Sequence, residues 1–163
     1  MLYLPEKDWS PRFGTDFFTV CITSRTNDEN QPENLHDASS LDRQKGAVYY
    51  NVEVKSGHSD KLRLKRRYSK FRYLYDEVRK SAPPHHGNQS SSESNTAKQS
   101  VEALHFPPKT CFFTNIDDEF LDIRQDELFT FLDQLLKIPN YSKHKAVRDF
   151  LELDGLGIDT QQS

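Results

Sequence analysis

Cysteine is scarce in this chain: Cys21 and Cys111 are the two thiols in 163 residues. Two thiols make no disulfide framework, and neither stands in a CxxC or Cys/His spacing suited to zinc, so a reducing, intracellular setting is expected. Long apolar runs are missing as well. Crossing a bilayer takes roughly 20 consecutive apolar residues, and no run approaches that. The opening MLYLPEKDW has no basic segment followed by an apolar one, so no export signal is expected. The glycosylation patterns at Asn88 and Asn140 are accordingly expected to be chance matches. GxSxG, P-loop, HExxH and paired-carboxylate patterns are also absent, so the expected class is non-catalytic, without cofactor or metal.

Aromatic residues are plentiful. With 11 Phe and 7 Tyr, one core is within reach despite a hydrophilic average, and the single Trp9 is expected to pack the N-terminal arm. The most informative stretch is KLRLKRRYSKFR, which places Lys61, Arg63, Lys65, Arg66, Arg67, Lys70 and Arg72 in one segment with no acid. The whole chain carries a net charge of -3, so attraction for an anion must be local to this stretch. Phosphate suits it, because Arg presents a planar donor fork matching phosphate oxygens while Lys supplies a compact charge.

Periodicity places the elements. Phe17 to Ile22 is apolar on both faces and reads as a buried strand. Ala47 to Lys55 alternates Val48, Tyr50, Val52 and Val54 against Tyr49, Asn51, Glu53 and Lys55, which reads as a strand with one core face. A turn at 56–60 leads into Lys61 to Arg67, where Leu62 and Leu64 alternate with cations, completing a hairpin. Ser69 is a candidate cap for a helix carrying Phe71, Leu74, Tyr75 and Val78, ended by Ala82-Pro-Pro. A second helix is expected from about Asp117 to Ile138, stopped by Pro139, and a last one from Ser142 to about Asp154. The expected organisation is an N-terminal arm at 1–12, one domain at 13–156 and a flexible tail at 157–163. Polar loops without periodicity interrupt the domain at 24–45 and 82–105.

Strands, then Arg66-Arg-Tyr-Ser-Lys-Phe71 opening a helix, then Phe106-Pro-Pro-Lys109, then Phe120-Leu-Asp-Ile-Arg124 ahead of an amphipathic helix: this ordered set resembles the phox-homology (PX) domain, over about Phe13 to Leu156. The resemblance implies an α+β fold, with a three-stranded antiparallel sheet packed against a helical subdomain. It also implies phosphoinositide binding, most often of phosphatidylinositol 3-phosphate, by a cytoplasmic protein peripheral on endosomal membranes. By motif, Arg67 is similar to the family's 3-phosphate arginine and Tyr68 to the aromatic residue against the inositol. Lys109 is similar to the lysine at the 1-phosphate, and Arg124 to the arginine facing the inositol hydroxyls. Two positions depart from the pattern. Leu104 and His105 stand where an earlier proline is common, which weakens any link to SH3-type modules. Ser69 stands where some relatives carry a further cation.

Cys111, Phe112 and Phe113 follow the lysine where family members expose apolar side chains to the bilayer, and one of the two rings is expected to be core instead. Lys61, Arg63, Lys65 and Arg72, with Lys98 and His85-His86, are candidates for diffuse attraction to an anionic surface. His85, His86 and His105 have no metal-ligand spacing. The expected partner is thus a phosphoinositide in a membrane and not nucleic acid, with protein partners open. Two other readings are a single-stranded nucleic-acid-binding domain using the basic hairpin, and a protein-interaction scaffold with a degenerate lipid pocket.

Overall fold

The computed structural model describes residues 1–28, 47–57, 61–81, 101–109 and 116–157. A sheet of four strands runs in the order β1 (Leu2–Tyr3), β2 (Phe17–Asp28), β3 (Ala47–Ser56) and β4 (Leu62–Arg67). The β2–β3 and β3–β4 pairs are antiparallel, and β1 lies parallel to β2. The expected α+β layering holds, with one correction: the arm at 1–12 contributes a fourth strand. Leu4 N–H donates to the Phe18 carbonyl at 2.9 Å, and the Tyr3 hydroxyl donates to Asp133 Oδ1 at 2.7 Å. Burial and that hydrogen bond push the Tyr3 phenol up, so it stays a donor. A two-residue strand has no readable alternation, which is why the sequence pattern missed it.

The loop expected at 24–45 begins later than expected. After Ile22 the register shifts at a bulge and β2 continues, Ser24 pairing with Asn51 and Asp28 with Ala47. An extra residue flips the facing of everything beyond it, and Ser24 to Asp28 are all polar, so they carry none of the apolar alternation that marks a strand. The bulge also sends Arg25 to the far layer, where it bridges Asp118 at 3.1 Å and Asp122.

Alternation along β3 buries Tyr50, Val52 and Val54 beneath α1 (Tyr68–Lys80), whose Phe71, Leu74 and Val78 complete the interface. Tyr50 and Phe71 meet edge to face with centroids 6.0 Å apart. The long helix α2 (Asp118–Lys137) adds Leu128, Phe131, Leu132 and Leu135, and the short α3 (Lys145–Leu151) adds Val147, Phe150 and Leu151. Asp117 caps α2 by accepting from Phe120 N–H at 2.9 Å. Two expected caps are displaced. Ser69 lies inside α1, whose N-cap is Arg67, and α3 is capped by His144 rather than Ser142, its Nδ1 accepting from Ala146 N–H at 3.2 Å. Ser142 is buried in a preceding 3-10 turn. Burial pushes the His144 imidazole down, keeping it neutral and able to accept.

The second expected loop, 82–105, is also shorter at its end, because Val101 and Leu104 are buried in the core. Two apolar residues three apart, bounded by polar ones, gave too little pattern to read as packed. Just past the end of β3, Gly57 N–H donates to the Gly14 carbonyl at 2.7 Å, with Gly14 at φ 60° and ψ -148°. That conformation is open only to glycine, and a Cβ on Gly57 would lie 2.2 Å from the same carbonyl oxygen.

Candidate functional site

Strand alternation separates two adjacent arginines. Arg66 points inward: its Nε donates to the Phe150 carbonyl at 3.0 Å, its Nη2 pairs with Glu152 at 2.6 Å, and its guanidinium lies over the Phe150 ring. Arg67 points outward, its guanidinium 5.9 Å from the ring centroid of Tyr49, its cross-strand partner. The chain then turns from extended backbone at Arg67 (φ -79°, ψ 159°) directly into α1, so Tyr68 begins the helix.

Tyr68 reaches the segment 106–109, donating its hydroxyl to the Pro107 carbonyl at 2.8 Å. Burial pushes its phenol up, against the lowering effect of Arg124 and Arg72, so the hydroxyl stays protonated and donates. Phe106 pins the same segment, stacked on Tyr75 at 4.8 Å and edge-on to Phe131 at 5.0 Å. From α2, Arg124 inserts its guanidinium between the rings of Tyr68, 4.6 Å away, and Phe120, 4.4 Å away, and donates to the Pro108 carbonyl at 3.3 Å. It is 7% exposed. Lys109 follows in sequence, exposed.

Tyr68 and Arg124 are therefore in contact, and Arg67 and Lys109 are chain neighbours of that contact. One face of the Tyr68 ring, assigned by the resemblance to the inositol, carries the Arg124 guanidinium. Phe120, to which the sequence motif gives no role of its own, is half-buried and backs Arg124; the available signal was its i, i+4 spacing to Arg124 on a helix. Tyr49 stood on the exposed face of its strand with no signal for a role. Cys111, Phe112 and Phe113 lie outside the described residues, as do Lys98, His85 and His86.

The candidates for diffuse attraction divide. Cross-strand register sets Arg63 opposite Glu53, and Arg63, Lys61 and Lys55 surround that carboxylate at 3.5, 3.3 and 3.4 Å. Burial alone would push the Glu53 carboxyl up, but hydrogen bonds from Lys61 and Lys55 outweigh it and hold the group below its ordinary value. Lys61 and Arg63 are exposed, so solvent screens their side of these pairs, whereas Glu53 and Lys55 are largely covered. Arg72 is engaged by Asp76 at 3.3 Å and lies over Tyr75 and Phe106. Lys61, Arg63 and Arg72 thus have carboxylate partners, because strand register and helical i, i+4 spacing bring acids to them. Lys65, Arg67, Lys70 and Lys109 hold no carboxylate among the described residues. Arg67 also borders a groove of about 750 Å³ between β4, α1 and α3, which Tyr68, Lys109 and Arg124 do not line. No group of three metal-ligating side chains occurs among the described residues, and no described helix is long and apolar enough to cross a membrane.

A family model described as PX domain matches residues 54–154. Serine/threonine-protein kinase Sgk3 from Rattus norvegicus and from Mus musculus are each 29% identical over 113 residues, covering 69% of this chain. The chain spans 19% of the length of those relatives. Among solved structures, a designed CISK-PX domain superposes with a TM-score of 0.54 at 19% identity, covering 82% of this chain and 97% of that one. The mouse SNX19 PX domain with bound sulphate ion does so with a TM-score of 0.51 at 18% identity, covering 82% and 94%.

Proposed function

The chain belongs to the PX domain family of phosphoinositide-binding modules, and we propose that it holds phosphatidylinositol 3-phosphate in the corner formed by Arg67, Tyr68, Lys109 and Arg124, recruiting its protein to endosomal membranes. The observation that carries this reading is the buried Arg124 guanidinium against the Tyr68 ring, with a carboxylate-free Arg67 as the adjacent residue in the chain. Arg67 takes the 3-phosphate through its donor fork, Lys109 meets the 1-phosphate as a point charge, and Arg124 directs edge donors at ring hydroxyls. Charge favours the monophosphate. A phosphomonoester carries about -1.5 to -2 and the diester about -1, close to the sum of Arg67, Lys109 and Arg124, whereas each added phosphate brings roughly -2 more.

Attachment to the bilayer adds two weaker contributions. Lys65 supplies about 1 kcal/mol near an anionic surface, and an apolar side chain from Cys111, Phe112 or Phe113 supplies about 1.5–3 kcal/mol on burial. The test is co-sedimentation with vesicles carrying phosphatidylinositol 3-phosphate, its 4-phosphate isomer or the 4,5-bisphosphate, with single-stranded RNA in parallel. Selective retention on the 3-phosphate, lost in Arg67→Ala, supports the reading. Equal retention on every anionic vesicle, or tighter binding to RNA, overturns it.

A further inference from the structure

We propose that the groove between β4, α1 and α3 docks an acidic, partly apolar peptide segment of a partner protein in extended form. The groove encloses about 750 Å³, with Lys65 and Arg67 on its β4 side, Lys70 and Tyr73 on its α1 side, and Lys145 and Ala146 on its α3 side.

Charge selects the sign of the occupant. Three carboxylates line the groove, and each is already engaged: Glu77 by Lys80 at 2.8 Å, Asp149 by Lys145 at 2.5 Å and Glu152 by Arg66 at 2.6 Å. Lys65, Arg67 and Lys70 hold no carboxylate among the described residues, so the positive excess lies along the β4–α1 wall. A segment bringing carboxylates to that wall gains ion pairs, and one bringing cations is repelled.

Apolar surface selects its other component. Tyr73 is 63% exposed, three residues and so about one helical turn beyond Lys70, and it flanks the buried side chains of Leu74 and Phe150. An exposed aromatic ring beside an apolar floor and a cationic rim is the composition of an anchor pocket in protein interfaces.

Length and the opposite rim favour a peptide over a bilayer. The α1 wall runs from Ser69 to Glu77, roughly 12 Å at 1.5 Å per residue. That spans about four residues of extended chain at 3.3 Å each. A lone phosphate would meet only the Lys65–Lys70 end. An anionic bilayer pressed onto the groove would also meet Asp149 and Glu152 on the α3 side, whereas a peptide can place its carboxylates on one wall alone.

The inference goes beyond headgroup binding, sharing Arg67 with it and Lys65 with the proposed bilayer contact, so the test uses Lys70 and Tyr73. An acetylated pentapeptide of alternating Glu and Leu is titrated into the labelled protein and followed by amide chemical shifts, with the Lys/Leu counterpart as control. The expected result is a saturable shift at Lys65, Lys70, Tyr73 and Lys145 with the acidic peptide only. Lys70→Glu and Tyr73→Ala, both at exposed positions, should each weaken it about fivefold or more while titration with a soluble phosphoinositide headgroup is unchanged. No saturable shift below about 10 mM, or undiminished peptide binding by both variants, overturns the proposal. So does a result in which the variants reduce vesicle binding and leave peptide binding intact, which would make the groove a membrane contact.

Discussion

Replacing Arg66 or Arg67 with alanine should have opposite consequences, although the residues are adjacent and chemically identical. Arg66→Ala removes a charge-assisted hydrogen bond to the Phe150 carbonyl at 3.0 Å, near the C-terminus of α3, where orphan carbonyls carry negative potential. A hydrogen bond to a charged donor contributes about 1.5–3 kcal/mol. The accompanying pair with Glu152 adds little, because the Glu152 side chain is 53% exposed and such pairs contribute about 0–1 kcal/mol. A total near 2–3 kcal/mol corresponds to a fall in Tm of about 5–10 °C for a domain of this size. Arg67→Ala forfeits its half-buried contact with the Tyr49 ring, about 1 kcal/mol, so Tm should move by no more than a few degrees. Its loss should instead appear in vesicle binding, where removing a bidentate charged contact costs about 2–3 kcal/mol, roughly 30- to 150-fold in affinity. Thermal unfolding and vesicle co-sedimentation on both variants decide the matter, with binding measured well below the lower Tm. Equal destabilisation by the two substitutions would refute the inward and outward assignment. Full binding by Arg67→Ala would refute the headgroup role.

Arg124→Lys keeps the charge but loses the planar group held between Tyr68 and Phe120, so soluble-headgroup affinity measured by calorimetry should fall about tenfold; an unchanged affinity would reduce Arg124 to a point charge. The Glu53 carboxyl is held below its ordinary value in the folded state, so its contribution to stability is present above the unfolded value of 4.5 and is lost as pH falls through the lower folded value. Glu53→Gln should therefore flatten the acid limb of a stability profile measured by urea unfolding, and a parallel, uniformly lowered profile would show that Glu53 does not drive it. Gly57→Ala forces a Cβ to within 2.2 Å of the Gly14 carbonyl oxygen, where Gly14 cannot readily relax, and should cost about 1–3 kcal/mol of unfolding free energy. A neutral result would mean that the two backbones separate freely.

Periodicity in the sequence was sufficient for the main strands and both longer helices, since a half-buried strand repeats every two residues and a packed helix every 3.6. Val52 and Val54, or Leu128, Leu132 and Leu135, are core because of patterns that need no knowledge of the partner surface. Arg67, Tyr68, Lys109 and Arg124 could be singled out as headgroup candidates through their resemblance to a family motif, because residue type and order are local properties. Their juxtaposition was not, for it depends on Phe106 seating 106–109 against Tyr75 and on α2 directing Arg124 between two rings. Polar and very short elements escaped for the same reason: Leu2–Tyr3 and Ser24–Asp28 are strands only because an already formed β2–β3 framework supplies the pairing. Charge counting marked KLRLKRRYSKFR as one cationic segment. Only the register of β3 against β4, the i, i+4 spacing in α1 and the docking of α3 decided which of those cations already have a carboxylate, because ion pairing is a property of distance in space and not of composition.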